Sequence, residues 1–255
     1  LDFKLFLAMS ILGIIPARYA SSRFPGKPLA NIAGQTMLQR VIRQAKKSRL
    51  LSGIIVATDD ERIAQHAREE GVSAILTSSE HPSGTDRCYE AYQLAGGNEE
   101  YVINIQGDEP FLDPLQIDGL AEICDGETEI ATQMIVCTDS SVLFDIGEVK
   151  IVLNEKNEAL YFSRSVIPHI KNKPQEEWQK YHTYHRHVGM YAYRQDILKE
   201  ICQLSPSSLE VAESLEQLRW LQNGYTIRCA PTSFESHCID TPEDIQKVLR
   251  LMNPS

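Results

Sequence analysis

Through its first half the chain alternates short apolar runs with amphipathic stretches of helical spacing, a pattern that few folds accommodate. The apolar runs are Ile11–Ile15, Gly53–Ala57, Val72–Leu76, Tyr101–Ile105 and Ile130–Cys137. Each is too short for a helix and predominantly apolar, as expected for strands buried on both faces. Between them, Thr36–Ser48, a segment capped by Asp59 or Asp60 and ended by Gly71, Thr85–Leu94 and Pro114–Cys124 read as helices. Strand–helix alternation of this kind implies an α/β fold: a Rossmann-like, mostly parallel sheet with helices on both faces. Beyond residue 148 the pattern changes. Glu148–Leu153, Ala159–Ser163 and His187–Tyr193 are strand-like with no regular helix between them, and a polar loop covers Lys171–Gln179, so an embedded β-rich section is expected there. Ser207–Gln222 and Pro242–Met252 close the chain as helices around a strand at Tyr225–Cys229. Neither a repeat nor a long linker interrupts the 255 residues.

Charge is distributed unevenly. From Phe3 to Thr58 there is no acid, and nine cations against Asp2 leave residues 1–58 at +8; the chain's net −10 then puts −18 on residues 59–255. The acidic total speaks against nonspecific nucleic-acid binding, while the basic segment suggests a local anion site. Arg40, Arg43, Lys46, Lys47 and Arg49 are accounted for by a solvated helix face; Arg18, Arg23 and Lys27 are not. The six cysteines form no CxxC pair, which argues against a zinc site or a disulfide framework. Residues 1–8 read as an extension ahead of Met9. The apolar run after Lys4 is shorter than the ~20 residues needed to span a bilayer and has no small-residue cleavage site, so the expected location is the cytoplasm, without stable membrane association.

Three segments carry chemistry. The first is Ile15-Pro-Ala-Arg-Tyr-Ala-Ser-Ser-Arg-Phe-Pro-Gly-Lys-Pro-Leu29, directly after the first strand, where open α/β sheets bind ligands. Its cations, hydroxyls and glycine suit a polyphosphate. It is not a Walker A loop: G-x4-G-K-S/T needs a glycine and a hydroxyl residue where the chain has Ser21 and Pro28. The second is Val102-Ile-Asn-Ile-Gln-Gly-Asp-Glu-Pro110, a buried strand ending in a carboxylate pair, with Gly107 expected to allow a tight turn and Asp108 suited to Mg²⁺. The third, Ile239-Asp-Thr-Pro-Glu-Asp244, is by itself a helix start, with Asp240 ahead of the cap as a possible second metal ligand.

In this order the three segments resemble those of the CMP-Kdo synthetases (3-deoxy-manno-octulosonate cytidylyltransferases). The resemblance extends through Ala57-Thr-Asp-Asp, His81-Pro-Ser-Gly-Thr-Asp-Arg87, Ala159-Leu-Tyr-Phe-Ser-Arg-Ser-Val-Ile-Pro168, Arg186-His-Val-Gly-Met-Tyr-Ala-Tyr193 and Ser214-Leu-Glu-Gln-Leu-Arg219, nearly the whole chain. It implies one nucleotidyltransferase domain over residues 9–255, with a dimerisation section at about 145–195, and CMP transfer from CTP to the anomeric hydroxyl of the acidic sugar Kdo for lipopolysaccharide synthesis. It further implies that Arg18 and Lys27 hold the triphosphate, Arg23 joins the substrate-binding set, Ser83 and Arg87 lie by the nucleotide, Asp108 and Asp240 hold Mg²⁺, and Gln106, Arg164, His187, Tyr191, Glu216 and Gln217 surround the sugar. His187 and Tyr191 also share one strand face by spacing alone, and Glu216 and Gln217 also fit an exposed helix face. The family's glycine-rich approach to the second metal acid is Glu235-Ser-His-Cys-Ile-Asp240 here, a departure from the pattern. Three other readings are a sister enzyme for a different acidic sugar, a non-catalytic module that binds sugar nucleotides, and a structural or interaction protein with the β section at 148–193 as its interface.

Overall fold

The computed structural model describes residues 9–20, 24–235 and 238–252; the extension at 1–8 and Arg23 lie outside the described residues. Along the chain run β1 (Ile11–Pro16), the two-residue strands β2 (Asn31–Ile32) and β3 (Gln35–Thr36), α1 (Met37–Ala45), β4 (Gly53–Thr58), α2 (Glu61–Glu69), β5 (Ser73–Leu76), α3 (Gly84–Leu94), β6 (Tyr101–Asn104) and α4 (Pro114–Ala121). The second half holds β7 (Ile130–Val136), α5 (Ser140–Phe144), β8 (Lys150–Leu153), β9 (Ala159–Ser163), β10 (His185–Arg194), α6 (Gln195–Ile201), α7 (Ser208–Glu213), α8 (Gln217–Gln222), β11 (Ile227–Pro231) and α9 (Pro242–Met252).

The main sheet has the order β11-β7-β10-β6-β1-β4-β5. It is parallel at β6–β1–β4–β5 and at β7–β11. Strand periodicity sorts the core onto its two faces: Leu12 and Ile14 of β1 pack with Val102, Tyr193, Leu198 and Trp220, whereas Ile11 and Ile15 pack with Leu38, Val41, Ile103 and Leu120. The expected α/β architecture with covered faces is present.

The helix starts follow from local chemistry. Thr36 and Gln39 form a capping box at α1, Asp60 caps α2, and Asp113 with Gln116 boxes α4, where Pro114 occupies the first turn. The cations of α1 and the residues after it are engaged as structural partners. Arg43 pairs with Glu70, Arg49 with Asp118, and Arg40 donates to the Ile32 carbonyl, which leaves the anion-site candidates as those of the loop before α1.

Three expectations need correction. The β-rich section is not an addition beside the sheet, because β10 lies inside it between β7 and β6, antiparallel to both. Met190–Tyr193 are buried, which holds the strand inside; only the β8–β9 hairpin extends outward, pairing with the start of β10. The helix at 114 stops at Ala121, and the chain continues in i→i−3 turns from Ile123 to Leu120 and Cys124 to Ala121. The span 207–222 is two helices, broken at Ser214, which is left-handed at φ 52°. The break separates α7, which buries no residue, from α8, which buries Gln217 through Trp220; a continuous helix cannot change its environment so abruptly. Helices α5 and α6 are not anticipated by the sequence reading. All six cysteines are free, and among the described residues no helix is long and apolar enough to cross a membrane.

Since serine is strained in the left-handed region, Ser214→Gly is expected to raise stability by about 0.5–1 kcal/mol, read as an upward shift of the urea midpoint at unchanged slope.

Candidate active site

The site forms where β1 and β6 end side by side. After β1, Ala17 N still donates to the Ala57 carbonyl (2.8 Å), so the chain leaves the sheet on a fixed course. Tyr19 anchors the loop that follows. Its N–H reaches Asp59 Oδ1 at 3.4 Å, and the Arg62 guanidinium lies 3.7 Å from its ring centroid. The loop closes at Gly26, whose N–H donates to the Tyr19 carbonyl (2.9 Å). Gly26 has φ +70°, and a Cβ there would sit 3.2 Å from the Tyr19 ring, so glycine is needed for both conformation and space. One 3-10 turn, Lys27–Leu29, then aims Lys27 toward the end of β6.

At β6, Ile105 N donates to the Ile14 carbonyl (2.8 Å), and the chain turns at Gly107. The requirement for glycine differs from the tight turn expected. Its φ is not positive; instead, a Cβ would fall 2.6 Å from the Pro16 carbonyl oxygen, a backbone atom that cannot rotate away. The two loops touch backbone to backbone, and that contact sets the position of Asp108. Asp108 Oδ2 lies 2.9 Å from Lys27 Nζ, and Asp240 Oδ1 lies 3.2 Å from the same nitrogen. Ile239 N donates to the Asp108 carbonyl (3.0 Å), which ties the approach to α9 to this turn. Three segments 81 and 132 residues apart thus converge on one ammonium.

Around them is a cleft of about 240 Å³ walled by Arg18, Lys27, His81, Ser83, Arg87, Gln106, Asp108 and Asp240. Arg18 is exposed. Ser83 is the N-cap of α3, accepting from Asp86 N and donating to Asp86 Oδ2 (2.6 Å), so the start of an eleven-residue helix meets the cleft. Arg87 is buried, paired with Asp59 (3.2 Å) and donating to Thr77 Oγ1 (2.6 Å); its charge is already matched, and it serves the cleft as a fixed wall. His81 Nε2 lies 2.5 Å from Glu90 Oε2.

The residues assigned to the sugar form a neighbouring cluster. Gln106 Nε2 donates to the Gly189 carbonyl (2.7 Å), linking the cleft to β10 between His187 and Tyr191. The His187 and Tyr191 rings are 5.2 Å apart, and Tyr191 stacks on Tyr193 and meets Trp220 edge-on. Tyr191 Oη is buried beside the Thr132 hydroxyl but makes no well-aligned hydrogen bond among the described residues, so a polar ligand would satisfy it better. Glu216 accepts from Thr85 Oγ1 (2.8 Å) and pairs with Arg219 (2.8 Å); burial raises its carboxyl above the ordinary value against those two partners. Gln217 is buried at the start of α8, so neither it nor Glu216 lies on an exposed face. Arg164 stands apart from the cleft: Nε donates to the Glu213 carbonyl (2.8 Å), and its two terminal nitrogens to Ile146 and Ser214 carbonyls.

Two carboxylates sharing one cation define a point of negative potential with hard oxygen donors, and both side chains remain partly exposed. Such a pair, completed by phosphate and water, fits Mg²⁺, which seldom takes an all-protein cage. No group of three or more His, Cys, Asp or Glu side chains among the described residues is placed to hold a metal ion.

A family profile described as cytidylyltransferase matches residues 12–227. The 3-deoxy-manno-octulosonate cytidylyltransferase of Parabacteroides distasonis is 51% identical over 249 residues, covering 96% of this chain and 98% of that protein. The protein of the same description from Cytophaga hutchinsonii is 49% identical, covering 94% and 96%. The chain belongs to the 3-deoxy-manno-octulosonate cytidylyltransferase family. A solved structure described as CMP:2-keto-3-deoxy-manno-octonic acid synthetase complexed with CTP superposes with a TM-score of 0.87 at 39% identity, over 95% of this chain and 98% of that one.

Of the predicted residues, Arg18, Lys27, Ser83, Arg87, Gln106, Asp108 and Asp240 share the cleft, and His187, Tyr191 and Glu216 adjoin it; Gln217 is buried next to Glu216 in the chain, Arg164 stands apart, and Arg23 lies outside the described residues. His81, Asp59 and Thr85 were not among the predicted site residues, although two of the family-like segments contain them. Their roles are contacts across the fold, which a linear pattern does not display.

Gly107→Ala is expected to lower turnover by about 100-fold, because it displaces Asp108 from the loop carrying Lys27; turnover should be measured alongside an unchanged far-UV spectrum. Burial, followed by the charge of Arg186, depresses the His187 pKa from 6.5 to about 3. The unfolded chain therefore takes up this proton more readily between those values. His187 imposes no stability penalty above pH 6.5 and a growing one as pH falls toward 3. A His187→Gln variant is expected to lose stability less steeply over that window, measured as denaturant midpoint against pH.

Proposed function

We propose that this chain transfers CMP from CTP to the anomeric hydroxyl of 3-deoxy-manno-octulosonate, releasing pyrophosphate. The observation that carries the reading is the convergence of Lys27, Asp108 and Asp240 in a cleft edged by Arg18, in a chain of this family. Attack of the sugar hydroxyl on the α-phosphorus forms one P–O bond and breaks the bond to the β,γ-diphosphate. Positioning and charge stabilisation dominate such transfers.

Arg18 and Lys27 bind the triphosphate and stabilise the charge that develops on the leaving diphosphate. Ser83 and Gly84, at the start of α3, offer N–H groups and the positive helix end to the same anion. Asp108 and Asp240 are the pair that would hold Mg²⁺; when bound, such an ion neutralises the α-phosphate and lowers the pKa of the attacking hydroxyl. Gln106, His187, Tyr191, Glu216 and Gln217 orient the sugar through its hydroxyls. Arg164 has two N–H groups beyond those spent on carbonyls, enough for the sugar carboxylate. Arg87 shapes the nucleotide wall from its buried ion pair.

The same reading extends to assembly and pathway. Ile146, Leu160 and Phe144, at and beside the β8–β9 hairpin, expose large apolar side chains, as expected of a surface that meets a second copy in a homodimer. The product would supply lipopolysaccharide synthesis, with the reaction in the cytoplasm.

With CTP and Mg²⁺, pyrophosphate release is expected to require Kdo, and to be absent without sugar or with N-acetylneuraminate. Chelation should abolish release and added Mg²⁺ restore it. Asp108→Asn is expected to reduce turnover by about 100-fold or more with the fold intact. Release with N-acetylneuraminate alone would overturn the sugar assignment, and near-normal turnover of Asp108→Asn would overturn the metal assignment.

A further inference from the structure

Midway along the antiparallel pair β7–β10 the register breaks. Gln133 faces Val188 but Thr132 faces Tyr191, so Gly189 and Met190 are looped out of the ladder as a bulge. Thr132, fully buried, fills the gap. Its Oγ1 lies 2.9 Å from the Met190 carbonyl oxygen, 3.2 Å from the Val188 carbonyl oxygen and 2.8 Å from His187 Nε2.

A hydroxyl has one proton to give. Both carbonyls are obligate acceptors, and two oxygens held at 2.9 Å with no proton between them repel. The Thr132 proton is therefore directed to the carbonyls, and the short contact to His187 needs a proton from the ring. We infer that Thr132 is a positioning residue, fixing His187 as the Nε2–H tautomer so that Nδ1 presents a lone pair to the sugar. Nδ1 has no hydrogen-bond partner among the described residues, and His187, though mostly buried, keeps some exposed surface. Phe162 edge-on at 5.2 Å and Tyr191 at the same separation restrict the ring from both sides, so the lone pair has a fixed direction. The depressed pKa of His187 agrees with a neutral ring at working pH. An acceptor at that point selects an O–H donor, so His187 takes a proton-bearing sugar hydroxyl and does not bind an oxygen lacking hydrogen. The bulge then has a purpose: it brings the carbonyls of residues 188 and 190 onto one hydroxyl, and thereby sets the tautomer of residue 187.

The selection of a sugar hydroxyl rests on the function proposed above, whereas the tautomer is measurable without sugar. Long-range ¹H–¹⁵N correlation on the free protein, with His187 assigned by its loss in His187→Gln, is expected to show the Nε2–H form alone. Thr132→Val keeps the shape and removes the hydroxyl, and should give mixed tautomers. Its KM for Kdo should rise about tenfold, as for one lost hydrogen bond to a neutral group, with KM for CTP unchanged. Thr132→Ser should restore both properties. A wild-type ring protonated at Nδ1 would overturn the inference, as would a Thr132→Val protein that keeps both the single tautomer and the KM for Kdo. Should Thr132→Val fail to fold, the wild-type tautomer and the Thr132→Ser KM decide. Absence of Kdo-dependent turnover in the wild type would overturn the sugar reading and leave the tautomer result to stand or fall separately.

Discussion

The ammonium of Lys27 holds the site together. Two carboxylates, Asp108 and Asp240, come within 3.2 Å of it. Without a cation between them they would repel, and the approach to α9 would have less reason to lie against the turn after β6. The ion pairs are partly exposed, so their worth is modest in stability. Their consequence is geometric: the loop after β1, the turn after β6 and the start of α9 are brought to one point, where charge of both signs is concentrated. The backbone contact at Gly107 completes the arrangement by leaving no room for a side chain between the two loops.

The second half of the site depends on an interruption of the parallel sheet. Strand β10 enters between β6 and β7 in the opposite direction, which carries His187 and Tyr191 past the carboxyl end of β6. A parallel strand there would run the other way and would not carry the chain across that end in this sense. The antiparallel insertion and its bulge therefore place an aromatic and imidazole wall beside the cleft, and the Gln106–Gly189 hydrogen bond joins the two. Helix α8 reaches the same place only because the chain breaks at Ser214, which frees Glu216 and Gln217 to turn inward.

Much of this was legible in the linear chain. The alternation of apolar runs and amphipathic segments located β1, β4, β6 and β7 to within a few residues, because burial on both faces leaves a plain hydrophobic signature; it located β5 as well, although that edge strand is not buried on both faces as expected. The loop with Arg18 and Lys27, and the turn with Asp108, stood out because cations and carboxylates at strand ends have few structural uses. Less was legible where function depends on contacts between distant segments. Arg87 is a buried ion-pair partner of Asp59, a role that its motif does not disclose. Arg164 spends three N–H groups on carbonyls of residues 146, 213 and 214. Gly107 is required for a close approach to Pro16 rather than for a left-handed turn.

By itself the sequence determined which residues can do chemistry and which segments form strands and helices, since charge, side-chain donors and hydrophobic period are properties of the chain. Tertiary structure decided which of those residues meet. The antiparallel placement of β10, the break at Ser214 and the sharing of Lys27 by two remote carboxylates all depend on packing among segments far apart in sequence, and no local pattern encodes the distance between them.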